Sequence, residues 1–132
     1  MQRVTITADD ELVRDVDDLM DKRGYQNRSE AMRDLIRLGL KQWAMDEHSM
    51  VHCVGVLSYV YDHNARDLAR RLTNTFHHSH NLVISSLHVH LDADMCLEIS
   101  VLKGDLATIQ HFAERVIAER SVRHGKLEVI PN

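Results

Sequence analysis

A strict alternation of side-chain types across residues 86–101 is the feature that most limits how this chain can fold. One parity is aliphatic and consists of Leu87, Val89, Leu91, Leu97, Ile99 and Val101. The other parity is polar and consists of Ser86, His88, His90, Cys96, Glu98 and Ser100. A period of two indicates strands whose two faces differ, and the Asp-rich segment 92–94 favours a turn between them. The pattern predicts a hairpin with one aliphatic and one polar face.

The polar face of this hairpin carries donor atoms that transition metals prefer. His88 and His90 are two residues apart, so both side chains project from the same side of one strand, and Cys96 lies within cross-strand reach. Zinc accepts imidazole and thiolate ligands tetrahedrally, whereas nickel and copper accept them in a planar arrangement. The residue types therefore leave the metal open. In the alternative interpretation, both histidines only line a solvated sheet face.

A further ligand is available upstream, in the histidine-rich run at 76–80. At about 3.3 Å per residue, a strand that starts near Leu82 places His90 roughly 26 Å along it. His77 is then far from His88 and His90 of the same chain, whereas an antiparallel strand of a second chain would bring it close. The spacing therefore predicts a metal site that two subunits share.

Length and composition limit the number of domains, the location of the protein and the kind of partner that it can bind. A chain of 132 residues with 44% apolar residues suits one domain or two small ones, and it has no apolar run near the roughly 18 residues that span a membrane. The N-terminus has no signal-peptide pattern, so we expect a cytoplasmic protein. Two cysteines, Cys53 and Cys96, are too few for a disulfide framework. The net charge of −4 requires any DNA contact to come from a local basic surface.

Residues 2–7 alternate in the same way at the start of the chain. One side carries Val4 and Ile6, and the other carries Arg3, Thr5 and Thr7. A strand this short needs a partner, and because a helical pattern follows it directly, we expect the same strand of a second chain to pair with it. The first helix is expected to end at Gly24, and the second to begin at Asn27 with a capping-box partner in Glu30.

The rest of the chain follows the order β-α-β-β-α-β over residues 52–130. The elements are a strand at 53–61, a helix around Leu68, Leu72 and Phe76, strands at 82–91 and 95–102, a helix after Gly104-Asp105, and a strand around Leu127 and Val129. Asp62 or Asn64 is expected to cap the first of these helices, and Gly125 to break the chain before the last strand. This order predicts a ferredoxin-like domain and an α+β fold class.

The N-terminal pattern R-x-T-I-T, an amphipathic helix and N-R-S-E-A-M-R-D-L-I-R resembles the ribbon-helix-helix DNA-binding family. That resemblance implies a two-stranded ribbon, formed by two chains, that enters the major groove. The implied base-contacting residues are Arg3, Thr5 and Thr7, and the implied phosphate-contacting residues at the start of the second helix are Asn27, Arg28 and Ser29. Alternatively, the ribbon side chains are only the solvated face of a dimer strand.

The whole chain resembles the nickel-responsive repressor family NikR, through H-H-x-H, H-V-H-x5-C, S-Y-V-Y-x-H at 58–63 and V-L-K-G-D at 101–105. The resemblance implies a ribbon-helix-helix domain over 1–45, a linker over 46–51, and an ACT-like, ferredoxin-like metal-binding and tetramerisation domain over 52–132. It also implies that His88, His90 and Cys96 of one chain bind Ni(II) in a square plane with His77 of another. One nickel per subunit and a homotetramer, built as a dimer of dimers, follow from the same resemblance.

The expected function is nickel-dependent repression at operator double-stranded DNA, with two alternatives from other functional classes. A ribbon-helix-helix regulator of another metal or small molecule stays open, whereas an enzyme is disfavoured because four ligands leave no open metal position. The resemblance suggests a second cation at Glu30 and Asp34, but a helix cap and a salt bridge are the favoured explanation. Two further histidines, His78 and His80, are expected to be spectators or weak surface ligands.

Overall fold

The computed structural model describes residues 1–47, 52–65 and 67–131, and within them the chain forms two compact units, 1–43 and 44–132. The elements in chain order are α1 (Asp10–Arg23), α2 (Arg28–Asp46), β1 (Cys53–Asp62), α3 (Leu68–His77), β2 (Val83–His90), β3 (Met95–Gly104), α4 (Leu106–Ile117) and β4 (Val122–Pro131). Positions 48–51 of the predicted linker lie outside the described residues. Among the described residues, no helix combines the length and apolar character needed to cross a bilayer.

The two helices of the first unit begin and end where their capping residues predict. The carboxylate of Asp9 accepts a hydrogen bond from the Leu12 N–H at 2.9 Å, which caps α1. Gly24 ends α1 with a φ of 74°, a left-handed conformation that costs glycine little. The amide oxygen of Asn27 accepts from the Glu30 N–H at 2.9 Å, so the predicted start of α2 is confirmed.

The apolar side chains of this first unit are largely uncovered within one chain. Val16 of α1 and Ala31 of α2 are the buried apolar residues among those described in this unit. Val4 and Ile6 are 79% and 62% exposed, and residues 1–9 form no strand within the single chain. Leu35, Ile36, Leu38 and Leu40 of α2 are exposed as well. Because a strand needs a hydrogen-bonding partner, the ribbon at residues 2–7 stays a prediction about two chains.

The second unit contains a four-stranded sheet in the order β2-β3-β1-β4. Each neighbouring pair is antiparallel. With α3 between β1 and β2, and α4 between β3 and β4, this is the predicted ferredoxin-like arrangement. The central strands β1 and β3 pair from Cys53↔Gly104 to Asp62↔Met95, which fixes the registers of the site described below.

Two predicted boundaries of this unit were wrong. The helix α3 begins at Leu68 after Asp67, which has a φ of 60°, and the expected cap Asp62 instead accepts the Asn64 N–H at 2.8 Å in a tight turn. The strand β4 begins at Val122 and runs through Gly125.

Gly125 does not interrupt β4, and its missing side chain permits close packing against α4. A Cβ atom at Gly125 would lie 2.5 Å from Cγ1 of Ile117 on α4. The glycine therefore allows strand and helix to approach each other closely.

The two faces of the sheet differ in what covers them. The covered face, packed by α3 and α4, has buried Cys53, Leu57, Tyr59, Tyr61, Cys96, Ser100, Leu102 and Val129. The open face carries Val54, Val56, Val60, Leu87, Val89, Leu91, Leu97, Ile99 and Val101. Leu87 and Leu91 are 58% and 53% exposed there. The alternation predicted for the hairpin is confirmed, and its polar parity is the one that the helices cover.

Candidate metal centre

The hairpin of β2 and β3 brings the predicted ligands opposite one another. His90 pairs with Cys96 and His88 pairs with Glu98 across the two strands. The turn between the strands is held by Asp92, whose carboxylate accepts the N–H groups of Asp94 and Met95 at 2.8 Å each. A turn of fixed length sets the register, so it also decides which side chains face Cys96.

The thiol of Cys96 lies between two imidazoles of its own chain. Its Sγ atom is 3.4 Å from Nδ1 of His63 and 3.5 Å from Nδ1 of His90. One donor atom from each of the three residues lies within 4.8 Å of the others. Two nitrogens and one sulfur at this spacing form a donor set for a borderline transition-metal ion.

His63 was not among the residues predicted from sequence. It follows β1, which pairs with β3 so that Tyr61 lies opposite Cys96, and the His63 N–H donates to the Asp94 carbonyl at 3.0 Å. A signal for it exists, because Tyr59, Tyr61 and His63 share one parity. Extended through the end of the strand, that parity points His63 to the covered face.

His88 is held beside this cluster by two polar neighbours. Its Nδ1 atom is 2.7 Å from Oε2 of Glu98 and 3.2 Å from the Tyr61 hydroxyl. The rings of His88 and His90 are 4.9 Å apart. An imidazole that is oriented through Nδ1 keeps Nε2 for a metal ion, and a carboxylate in this position raises the basicity of the ligand. The contact supports Glu98 as a residue that orients a metal ligand, and it argues against a carboxylate that is merely solvated.

His77 lies at the last position of α3, apart from the within-chain donor cluster. It lines a cavity of about 460 Å³ together with His88, Glu98, Tyr61 and other residues of α3 and β1. The ring nitrogens of the neighbouring histidines contact backbone: His78 Nδ1 is 2.7 Å from the Asn74 carbonyl. The structure therefore brings His90 and Cys96 together and sets His88 next to them. His77 lines the same cavity as His88 of its own chain, and its ligand role for a second chain stays a prediction.

The electrostatics around Cys96 favour a cation. Burial raises the pKa of the Cys96 thiol, and the carboxylates of Glu98, Asp92 and Asp62 raise it further. Metal binding at this sulfur therefore has to displace a proton. The same carboxylates make the surroundings negative, so the donor set and its charge both fit a divalent metal such as nickel.

The predicted DNA-contacting side chains lie in the first unit. Arg3, Thr5, Thr7, Asn27, Arg28 and Ser29 are all exposed. Asn27 caps α2 with its side chain. The guanidinium of Arg28 forms two hydrogen bonds of 2.7 Å with the carboxylate of Asp17.

The two acids proposed for a second cation have protein partners. The carboxylate of Glu30 accepts the Gln26 N–H at 3.4 Å. The carboxylate of Asp34 accepts from the Tyr25 hydroxyl and from Arg37, each at 3.1 Å. These contacts fit a helix cap and an ion pair, and a cation at this position stays a prediction.

Two family models match the chain, one for each unit. Residues 54–130 match the NikR C-terminal nickel-binding domain. Residues 2–42 match the ribbon-helix-helix protein, CopG family.

Curated relatives match over nearly the full length. The putative nickel-responsive regulator of Brucella ovis and the nickel-responsive regulator of Brucella suis biovar 1 are each 57% identical over 131 residues, which is 99% of both chains. The nickel-responsive regulator of Brucella melitensis is 56% identical over the same share. An uncharacterized protein from Thermotoga maritima has a similar fold, with a TM-score of 0.51, 17% identity, and coverage of 61% of this chain and 96% of that one.

Proposed function

Because the chain belongs to the NikR family of nickel-responsive ribbon-helix-helix regulators, we propose that it represses nickel-uptake genes when nickel is in excess. The family is one of regulators and not of enzymes. The observation that carries the proposal is a buried thiol with an imidazole nitrogen within 3.5 Å on each of two sides, in a chain that also has a ribbon-helix-helix unit. A regulator of this kind would act in the cytoplasm, on double-stranded operator DNA.

The nickel ligands in this proposal are His88, His90 and Cys96 of one chain and His77 of a second copy, with one ion per subunit. Cys96 gives up its proton on binding, and His88 is oriented by the carboxylate of Glu98 at 2.7 Å. Bound nickel supplies a strong link between two chains at the covered face. The protein's own part is to hold the register of β2 and β3, which keeps the donor atoms on one side of the hairpin.

The assembly in this proposal is a homotetramer, a dimer of dimers. Two uncovered apolar surfaces support it. In the first unit, Val4 and Ile6 suit a ribbon between two chains, and in the second unit the open face of the sheet is aliphatic along three strands. Burial of apolar area contributes about 25 cal/mol per Å², so each surface gives a reason for a separate pair of chains to associate.

The DNA contacts in this proposal follow the two parts of the first unit. Arg3, Thr5 and Thr7 lie on one parity of the ribbon and would read base edges in the major groove. The exposed start of α2, at Asn27, Arg28 and Ser29, would hold a phosphate through backbone N–H groups and side chains. A metal ion held by His77, His88, His90 and Cys96 would link two chains, and the affinity of two ribbons for two half-sites would rise by a coupling of about 1–3 kcal/mol or more.

The test is binding to a duplex that the wild-type protein selects from a random pool, with Ni(II), Zn(II), Cu(II) or a chelator present. We expect tight binding with Ni(II), together with a thiolate-to-metal absorption band. Cys96→Ala should lose the band and the metal response but keep its fold and weak DNA binding. Cys53→Ala removes the other buried thiol and is the matched control, which should respond normally. Full metal-dependent binding by the Cys96 variant would contradict the ligand assignment.

A second candidate function is regulation by a small molecule. The cavity of about 460 Å³ beside α3, lined by Tyr59, Tyr61, Phe76 and His88 among others, is large enough for one. Binding to the selected duplex that is equally tight with Ni(II) and with chelator would favour this candidate over the nickel proposal.

A further inference from the structure

The ion pair between Arg28 and Asp17 joins the start of α2 to the middle of α1. Nε of Arg28 is 2.7 Å from Oδ1 of Asp17, and Nη2 is 2.7 Å from Oδ2. Two parallel, charge-assisted hydrogen bonds fix the plane of the guanidinium as well as its position. Val16 on α1 and Ala31 on α2 are both buried.

This pair is too exposed to serve mainly as a source of stability. The Arg28 and Asp17 side chains are 61% and 43% exposed. Ion pairs at such exposure are screened by solvent and contribute little to folding. A function in orientation fits the geometry better, because an unpaired arginine samples many rotamers whereas this one has a single plane.

The pairing leaves one edge of the guanidinium available. Arginine has five N–H donors, and Asp17 takes one on Nε and one on Nη2. Both hydrogens of Nη1 and the second hydrogen of Nη2 have no hydrogen-bond partner among the residues that the structure describes. This edge can hold a phosphate in the bidentate manner for which arginine is suited, and it belongs to the first residue of α2, where free backbone N–H groups also attract an anion.

We propose that Asp17 is a positioning residue for DNA binding, which holds Arg28 so that the outer edge of its guanidinium takes a DNA phosphate together with the start of α2. The inference rests on the proposed DNA-binding function. Asp17 then contributes to affinity although its own charge repels DNA.

The surroundings of Asp17 make this inference sharply testable. Residues 9–21 carry seven carboxylates and a single basic side chain, Arg14. On charge alone, removal of any one of these acids should leave DNA binding unchanged or make it tighter. A loss of affinity on removal of Asp17 is therefore the opposite of the electrostatic expectation, and it would identify the orienting contact.

The experiment compares Asp17→Ala, Asp18→Ala, Arg28→Ala and the Asp17/Arg28 double variant with the wild type, all loaded with Ni(II), on the selected duplex. Binding is measured across a salt series. We expect Asp17→Ala to bind about 3- to 10-fold more weakly, with the slope of log affinity against log salt reduced by up to about 0.9, the value of one phosphate contact. Asp18→Ala, an exposed acid one residue along, should keep or improve the affinity with an unchanged slope.

Arg28→Ala should lose at least as much affinity as Asp17→Ala, and the double variant should be no worse than Arg28→Ala alone. Equal or tighter binding by Asp17→Ala would overturn the inference, because Asp17 would then compete with DNA for Arg28. Unchanged binding by Arg28→Ala would overturn it as well. If the wild type itself binds no DNA, the proposed function fails and this inference with it, whereas failure of the variants alone leaves the proposed function intact. Thermal unfolding of each variant separates an altered fold from a lost contact.

Discussion

The two faces of the C-terminal sheet divide apolar and polar residues in an unusual way. The covered face packs apolar side chains of β1 against the helices, but along β2 and β3 the same parity is polar, with Cys96 and Ser100 buried and Ser86, His88 and His90 exposed. The open face is aliphatic along the same strands, with Leu87 and Leu91 more than half exposed. In an ordinary half-covered sheet the aliphatic parity faces the helices. This reversal fits the proposed function, in which the polar parity binds a metal ion and the aliphatic parity packs against other chains.

The covered face can hold polar groups because they satisfy one another. The hydroxyls of Ser86 and Ser100 are 3.0 Å apart, and His88 contacts both Tyr61 and Glu98. Among the described residues, no buried side-chain nitrogen or oxygen lacks a partner. Since an unpaired buried polar group costs about 1–3 kcal/mol, this arrangement removes the main penalty of enclosing such a site.

The largest effect is expected from a charge on the open face. Val89→Asp would place a carboxylate between the chains of the proposed tetramer, where an uncompensated buried charge costs on the order of 3–5 kcal/mol. We expect the tetramer to dissociate, as measured by analytical ultracentrifugation. His111→Asp puts the same charge on an exposed position of α4 and should leave the assembly unchanged. An intact tetramer in Val89→Asp would mean that the open face is not the interface.

The next largest effect is expected at His77, and it tests whether a second chain completes the metal site on the covered face. His77→Ala should weaken nickel binding by more than about 100-fold, beyond the range seen for outer groups of metal sites. His63→Ala should keep the thiolate-to-metal band, because the four proposed ligands remain. Titration of each variant with Ni(II), followed by visible absorption, measures the nickel affinity and the thiolate-to-metal band.

Mixed tetramers sharpen this prediction. When His77→Ala and Cys96→Ala chains are combined, a shared site regains a full ligand set wherever the first chain supplies Cys96 and the second supplies His77. Partial recovery of the absorption band is the expected result. A site confined to one chain would recover nothing.

A smaller effect is expected at the carboxylate behind His88. Glu98→Gln removes the charge that faces His88 Nδ1 at 2.7 Å but keeps the size of the side chain. We expect nickel affinity to fall by about 10- to 100-fold while the absorption band keeps its shape. Glu114→Gln, at an exposed position of α4, is the control for loss of one negative charge. An unchanged nickel affinity in the Glu98 variant would show that this carboxylate does not support His88 as a ligand.

The smallest effect concerns how tightly the covered face is packed. Gly125→Ala adds a Cβ atom that would lie 2.5 Å from Ile117, so the strand or the helix has to shift. We expect a destabilisation of about 1–3 kcal/mol in chemical denaturation. Combination with Ile117→Ala should recover part of the contact penalty, in a double-mutant cycle. If the two changes in the free energy of unfolding are fully additive, the close approach of Gly125 and Ile117 is not the cause of the destabilisation.

The strand hairpin and its two faces could be predicted from sequence because parity is a local property. The alternation of Leu87 and His88 with their neighbours needs no knowledge of which strands pair. The turn placed Cys96 within cross-strand reach of the histidines, and the structure adds the register His90↔Cys96. The helix starts at Asn27 and Asp105 were predictable for the same reason, since a cap acts over three residues.

What could not be predicted depends on contacts that are distant in sequence. His63 reaches Cys96 only because β1 lies beside β3 in the sheet order, which alternation within either strand does not specify. Gly125 was misassigned because the packing of Ile117, on another element, decides whether a glycine breaks a strand or permits close contact. The positive φ of Asp67, which delays the start of α3, gives no signal in the residue types around it.

The turn at Asp92 limits where the chain can gain or lose a residue without loss of the site. Its carboxylate organises the N–H groups of Asp94 and Met95, and β3 begins immediately afterwards. An insertion or deletion of one residue here would turn Cys96 toward the aliphatic side, together with Glu98 and Ser100. Most surface loops accept such changes with little effect. In this loop a single inserted codon would separate the thiol from its imidazoles while leaving every one of those residues in the sequence.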